Sequence, residues 1–184
     1  MTENILEEAI RTLLQAVGED PERPGLRRTP ARVAQMYDEI LAGYRVDPAE
    51  LTAVSLYNDA YDEMIIVKDI EFFSMCEHHL LPFFGRAHVA YVPQNKIIGL
   101  SNVPRIVDMF ARRLQLQERM TQQIAQTLAD ILEPQGLGVI VEGAHLCAMM
   151  RGVQKEQYRL MTSDMLGSFK TNPATRQEFL TLLK

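Results

Sequence analysis

Cysteine is scarce in this chain of 184 residues: there are two, Cys76 and Cys147. Two thiols cannot build the disulfide framework of a small secreted scaffold, and a chain this long buries a core without one. No apolar stretch approaches the roughly 18 residues of a membrane-spanning helix. Runs of basic residues are missing too: Lys+Arg total 19 against 24 Asp+Glu, a net charge of −5. An acidic chain without a basic run is a poor general binder of nucleic acid or anionic membrane, although a few local arginines can still hold one small anion. Repeats and low-complexity segments are absent. The N-terminus, Met-Thr-Glu-Asn, is acidic and leads directly into an amphipathic pattern, which is no signal peptide, so a cytoplasmic location is expected. What is present is 47% apolar and 23% charged, the balance of one ordinary globular domain.

Periodicity supplies the elements. Ile5, Leu6, Ala9, Ile10, Leu13, Leu14 and Val17 form an i, i+3, i+4 stripe before Gly18 and predict a helix over 2–17. After a polar loop over 18–28, Thr29-Pro30 reads as an N-cap followed by proline at the first helical position, opening a helix over 31–42 that ends at Gly43. Asp47-Pro48 starts a short helical turn. From residue 63 the pattern becomes strand-like, over 64–67, 70–75 and 86–92, with a turn at Gln94-Asn95 and a short strand over 96–100. Helices are predicted over 103–113 and 117–132, then Pro134 and Gly136 punctuate the chain. Two strands, 137–142 and 145–150, are expected to form a hairpin across Gly143-Ala144, and Asn172-Pro173 opens a last helix. The order predicts an α+β domain with a mostly antiparallel sheet over 63–184, preceded by an N-terminal helical arm over 1–62.

The chemistry gathers around the cysteines. Of four histidines, three lie within three residues of a cysteine: His78 and His79 after Cys76, and His145 before Cys147. Thiolate with imidazole is a zinc donor set, and cytosolic cysteines more often bind metal or catalyse than pair. Metal ligation is therefore preferred to inert thiols or a disulfide. Cys76 and His79 can converge in a strand or tight turn, and His145 and Cys147, at i and i+2, are expected on one side of a strand. Four of the five candidates would make a closed structural site. Three would leave a place for water, whose pKa zinc lowers to roughly 7. Spacing does not choose, but Arg151 and the Gln117-Glu118-Arg119 run favour the catalytic version. The plainer readings are a Gln-Glu pair that caps its helix, a solvated helix face for Arg105, Arg112 and Arg113, a structural His88, and core positions for Met149 and Met150.

The run IEFFSMCEHHLLPFFGRAHVAYVP, then IIGLS, RIVDMFARRLQLQERMTQQIA, HLC and MRGVQK, resembles the GTP cyclohydrolase I family, and GEDPERPGLRRTPARVA and SFKTNPATRQEFL extend the likeness over nearly the whole chain. The resemblance implies a tunnelling fold, an antiparallel sheet with a helical pair, in a toroidal homo-decamer with active sites between subunits. It implies Zn2+ held by Cys76, His79 and Cys147, with water as fourth ligand, and His78 and His145 as acid/base groups. It places guanine on Gln117 and Glu118, the triphosphate on Arg32, Arg105 and Arg151, and Ser101 in the catalytic set near the ribose and phosphates. The implied reaction opens the imidazole ring of GTP, releases C8 as formate and recloses the rearranged ribose to give 7,8-dihydroneopterin triphosphate. Two positions differ from the family's habit. Asn102 stands where a lysine usually contacts the triphosphate, which puts a neutral amide at a substrate-binding position. Glu156-Gln157-Tyr158 replaces a small Pro-Gly-Ser-like stretch. The alternatives are a related zinc enzyme acting on another purine or pterin, and a zinc-bearing subunit without turnover. Retention of His78, His145 and Glu118 speaks against the second.

Overall fold

A computed structural model describes residues 2–47 and 56–184, so the helical turn expected at Asp47-Pro48 falls outside the described residues. The chain divides into two compact units, Met1–Ala42 and Gly43–Lys184. The first packs α1 (Thr2–Ala16) against α2 (Thr29–Ile40). Thr29 lies inside α2 rather than capping it: the cap position is Arg28, whose side chain makes no capping bond. The reason is local. The Thr29 N–H already donates to Leu26 O at 2.8 Å, so the helix is entered through a turn, not from the extended backbone that a threonine cap requires.

The second unit runs β1 (Leu56–Asn58), β2 (Ile65–Cys76), β3 (Pro82–Val92), β4 (Lys96–Ile98), α3 (Asn102–Ala111), β5 (Leu114–Gln115), α4 (Gln117–Leu132), β6 (Gly136–His145), α5 (Leu146–Met149), β7 (Leu160–Gly167), α6 (Ser168–Thr171) and α7 (Pro173–Leu182). Its main sheet has the order β5-β2-β3-β6-β7, antiparallel except where β5 runs parallel to β2. Alternation decides which side chains are covered. Phe72, Val89, Tyr91, Val139 and Val141 share a face with Ile106 and Met109 of α3 and Met120, Ile124 and Leu128 of α4. Burying each large apolar side chain contributes about 1.5–3 kcal/mol. On the opposite face Ala90 and Ile140 meet Phe169 and Phe179 from α6 and α7.

The two strand segments expected over 64–75 are one strand with a register shift between Val67 and Ile70. Asp69 sits in the shift at φ +59°, and its N–H donates to His88 Nδ1 at 3.1 Å, the structural role expected of that histidine. The helix over 117–132 and the last helix form where expected, the first helix of the pair stops at Ala111 rather than at 113, and Asn172 Oδ1 caps α7 by accepting from the Ala174 N–H. The hairpin across Gly143-Ala144 does not form. Residues 136–145 are a single strand, the chain then turns into α5, and the partner strand is β7. Gly143 serves close approach rather than a turn: a Cβ there would stand 2.2 Å from Gln117 Oε1. β4 likewise pairs with β1 instead of folding back on β3. Among the described residues no helix is long and apolar enough to cross a membrane.

Candidate active site

β2 ends on Cys76, and the next four residues reverse the chain. The Leu80 N–H donates to Cys76 O and the Cys76 N–H to Leu81 O, each at 2.9 Å, with Leu80 at φ +51°. This reversal brings His79 back over Cys76, with Nδ1 3.9 Å from Sγ. β6 lies beside β3 and ends with His145 opposite Phe83, after which α5 delivers Cys147. One donor atom each from Cys76, His79 and Cys147 lies within 4.8 Å of the others. Donors about one tetrahedral ion at roughly 2.0–2.3 Å stand about 3.3–3.8 Å apart, so a small closing of side chains from this span lets two sulfurs and one imidazole, a soft set, hold a metal ion. His145 and Cys147 do not share a side of a strand as expected. His145 is the last strand residue and Cys147 is in a helical turn, so only the cysteine joins the cluster. Both cysteines are free thiols. Burial, then the Cys76 sulfur beside it, pushes the Cys147 thiol above its ordinary pKa.

Polar side chains near these residues in sequence make their own contacts. Arg151 donates to His79 Nε2 at 2.8 Å. His145 stacks on Phe83, with ring centroids 4.5 Å apart and planes 4° apart, and its Nε2 lies 2.9 Å from Gln117 Oε1. Burial lowers the His145 pKa and the nearby Glu118 charge partly opposes this. Gln117 is buried, and its amide nitrogen faces Val141 O and Leu160 O at 3.0 Å and Thr162 Oγ1 at 3.1 Å. The Gln117-Glu118 pair thus does not cap α4. Gln117 points into the sheet, while Glu118 is exposed and makes no hydrogen bond or ion pair among the described residues. Arg119 pairs with Glu77.

The remaining expected residues are more dispersed. His78 is exposed, its ring 6.2 Å from that of His79. Ser101 occupies the N-cap position of α3, Arg105 is exposed on that helix, and Arg32 is exposed on α2 in the first unit. Asn102 is 2% exposed and its Oδ1 has no hydrogen-bond partner among the described residues. Arg113 is not on a solvated face. α3 stops at Ala111, and Arg113 turns back to donate to Met109 O at 2.9 Å and Gly43 O at 3.1 Å, with its guanidinium over Phe110 and Tyr44. Met150, expected in the core, is 62% exposed because it ends the short α5.

Three soft donors within 4.8 Å of one another, with a histidine close in sequence to one of them, are a donor set that suits a metal-assisted hydrolase. Comparison with known proteins narrows the class. The family model for GTP cyclohydrolase I matches residues 6–184. GTP cyclohydrolase 1 of Leptospira biflexa is 53% identical over 182 residues, covering 99% of this chain and 97% of that protein. GTP cyclohydrolase 1 of Chlorobaculum tepidum is 53% identical over 176 residues, covering 96% and 79%. Among solved structures, the apo archaeosine synthase QueF-Like gives a TM-score of 0.48 at 14% identity, over 56% of this chain and 93% of that one. The chain belongs to the GTP cyclohydrolase I family and is an enzyme of that type; its fold is α+β, built on a mostly antiparallel sheet.

Proposed function

We propose that this chain opens the guanine imidazole ring of GTP by hydrolysis, releasing C8 as formate and forming 7,8-dihydroneopterin triphosphate, with Zn2+ as its metal. The observation that carries the reading is the meeting of Cys76, His79 and Cys147 within 4.8 Å. Those three residues would hold the zinc, which when bound supplies Lewis acidity that activates water near neutral pH. The residues of the chain do the rest. His145, held against Phe83, takes and returns a proton as ring nitrogens become leaving groups. His78, exposed beside the cluster, is the second acid/base group. The exposed Glu118 carboxylate accepts from the N1–H and N2 amine of guanine. Ser101 and the position of Asn102 lie toward the ribose and phosphates, and Arg32, Arg105 and Arg151 supply guanidinium forks for the triphosphate.

The same reading takes the arm over 1–62 and the region over 63–184 as one functional domain, working in the cytoplasm as a toroidal homo-decamer. Exposed Ile5, Leu13, Val17 and Phe73, each more than half accessible, support self-association. The direct test is incubation of the zinc-loaded protein with GTP, measuring formate and, after oxidation and dephosphorylation, neopterin fluorescence. GTP consumed without formate would remove the reading.

Chelation is expected to weaken GTP binding several-fold, not only to stop turnover. Arg151 donates to His79 Nε2. If His79 gives a ring nitrogen to a metal, the other nitrogen would carry the ring's proton and offer no lone pair to a guanidinium. Arg151 is then free for phosphate. Calorimetric titration of GTP into metal-loaded and chelator-treated protein checks this, and equal Kd values would show that Arg151 is not shared.

Asn102→Lys is expected to lower KM for GTP a few-fold at low salt, with a smaller change in kcat. Position 102 is buried, so the lysine stem must carry its ammonium out to the phosphates. An added partly exposed charge pair gives about 0.5–1 kcal/mol. The gain should fade as salt rises, because screening acts over roughly 8–10 Å. An unchanged KM at low salt would show that the arginines already suffice.

A further inference from the structure

We propose that Gln117 is a positioning residue that holds His145 as its Nε2–H tautomer, leaving Nδ1 as the atom that exchanges protons with the substrate. The direction of each hydrogen bond in the network follows from groups that have no choice. Val141 O and Leu160 O are backbone carbonyls and only accept, so the Gln117 atom 3.0 Å from both is the amide nitrogen. Thr121 Oγ1 lies 2.7 Å from Gln117 O, another carbonyl, and spends its proton there. Thr162 Oγ1, 2.7 Å from Thr121 Oγ1, must then donate to it, which leaves the Thr162 oxygen as an acceptor facing Gln117 Nε2 at 3.1 Å. With its two hydrogens shared among these three acceptors, the amide nitrogen faces away from His145, and the side-chain oxygen, Oε1, is the atom that faces it.

That oxygen is 2.9 Å from His145 Nε2 and can only accept, so Nε2 carries a proton and, in the singly protonated ring, Nδ1 carries the lone pair. Ring orientation is fixed independently by the stack on Phe83 at 4.5 Å and 4°. Room for the contact comes from Gly143, where a Cβ would stand 2.2 Å from Gln117 Oε1 and 3.4 Å from His145 Nε2. Gln117 is 1% exposed, so water does not compete for the amide. A ring whose tautomer is set before substrate arrives presents its lone pair in one direction. The proton-exchange role of Nδ1 rests on the reaction proposed above, whereas the tautomer does not.

The experiment is a two-bond 1H–15N correlation spectrum of the zinc-loaded protein, in which four histidines give few signals and His145→Gln assigns those of His145. The native protein is expected to show the Nε2–H pattern. Gln117→Leu is expected to give mixed tautomers and to lower kcat on the order of ten- to a hundred-fold, with KM for GTP nearly unchanged. Gly143→Ala keeps the glutamine but displaces its oxygen, and is expected to move the spectrum and kcat the same way if the leucine variant fails to fold. An Nδ1–H pattern in the native protein would overturn the proposal. So would a Gln117→Leu protein whose KM rises while kcat holds, because Gln117 would then be touching the base. A native protein with the Nε2–H pattern and no action on GTP would uphold the positioning role and remove the reaction instead.

Discussion

Cys147→Ala is expected to strip the protein of its metal and its GTP-opening activity together, while leaving the fold in place. Removal of this thiol reduces the donor set of Cys76, His79 and Cys147 to one sulfur and one imidazole. Two donors do not hold a zinc ion in water, so metal content should fall from about one ion per subunit to a small fraction of that. The Lewis acidity lost with it is worth several kcal/mol, which is about 10³-fold or more in rate. Cys147 is only partly buried, at the margin of the core, so trimming it should cost less than about 1.5 kcal/mol in stability. Cys76 is the poorer probe because it is 6% exposed and belongs to that core. Metal analysis beside thermal unfolding decides the matter: full metal content with intact turnover would remove Cys147 from the site. The native protein should also lose metal as pH falls, since the ligands are thiolates and binding releases their protons. The raised pKa of Cys147 brings that loss on at a higher pH than an ordinary thiol would.

Local signals in the sequence are legible, and long-range ones are not, for identifiable reasons. Cys76 and His79 converge through a turn closed within five residues, so their spacing contains the geometry. The helical pair carries its own periodicity, and Asn172 its own cap. β7 escapes a reading of the sequence because its segment, LMTSDMLG, is half polar and lacks strict alternation. It is a strand because β6 offers it a partner. β1 and β5, with three and two residues, are too short to show any period. His145 and Cys147 suggest one strand because Gly143-Ala144 resembles a turn, when the glycine is there to admit the Gln117 amide. Arg113 reads as a surface cation because a helix over 103–113 would expose it. The helix ends at Ala111, and the guanidinium turns back to bond Met109 O and Gly43 O. The family resemblance assigns Gln117 to the base; its hydrogen-bond partners on β6 and β7 and at His145 come from distant elements that nothing local in QER announces.

Glu118→Gln is expected to lower kcat/KM for GTP by roughly 30- to 1000-fold and to loosen discrimination between bases. Glu118 opens α4, is exposed, and makes no hydrogen bond or ion pair among the described residues, so its carboxylate has both oxygens available for a ligand. Guanine presents two donors on one edge, N1–H and the N2 amine, and a carboxylate can accept from both. Adenine presents no such pair there. The substitution keeps the shape but turns one acceptor toward the substrate as an NH2 group, setting donor against donor. Losing a charge-assisted hydrogen bond and leaving a base donor unpaired costs roughly 2–4 kcal/mol, and each 1.4 kcal/mol is tenfold. The change also removes a favourable charge from the first turn of α4, worth only about 0.3–1 kcal/mol of stability, so the variant should fold. Measurements with GTP, ITP and ATP separate the effects, because inosine keeps N1–H but lacks the amine. The native enzyme should prefer GTP to ITP, the Glu118→Gln protein should show a smaller gap, and both should reject ATP to different degrees. If kcat/KM for GTP is unchanged and ATP is still fully excluded, the guanine edge is read by a residue other than Glu118.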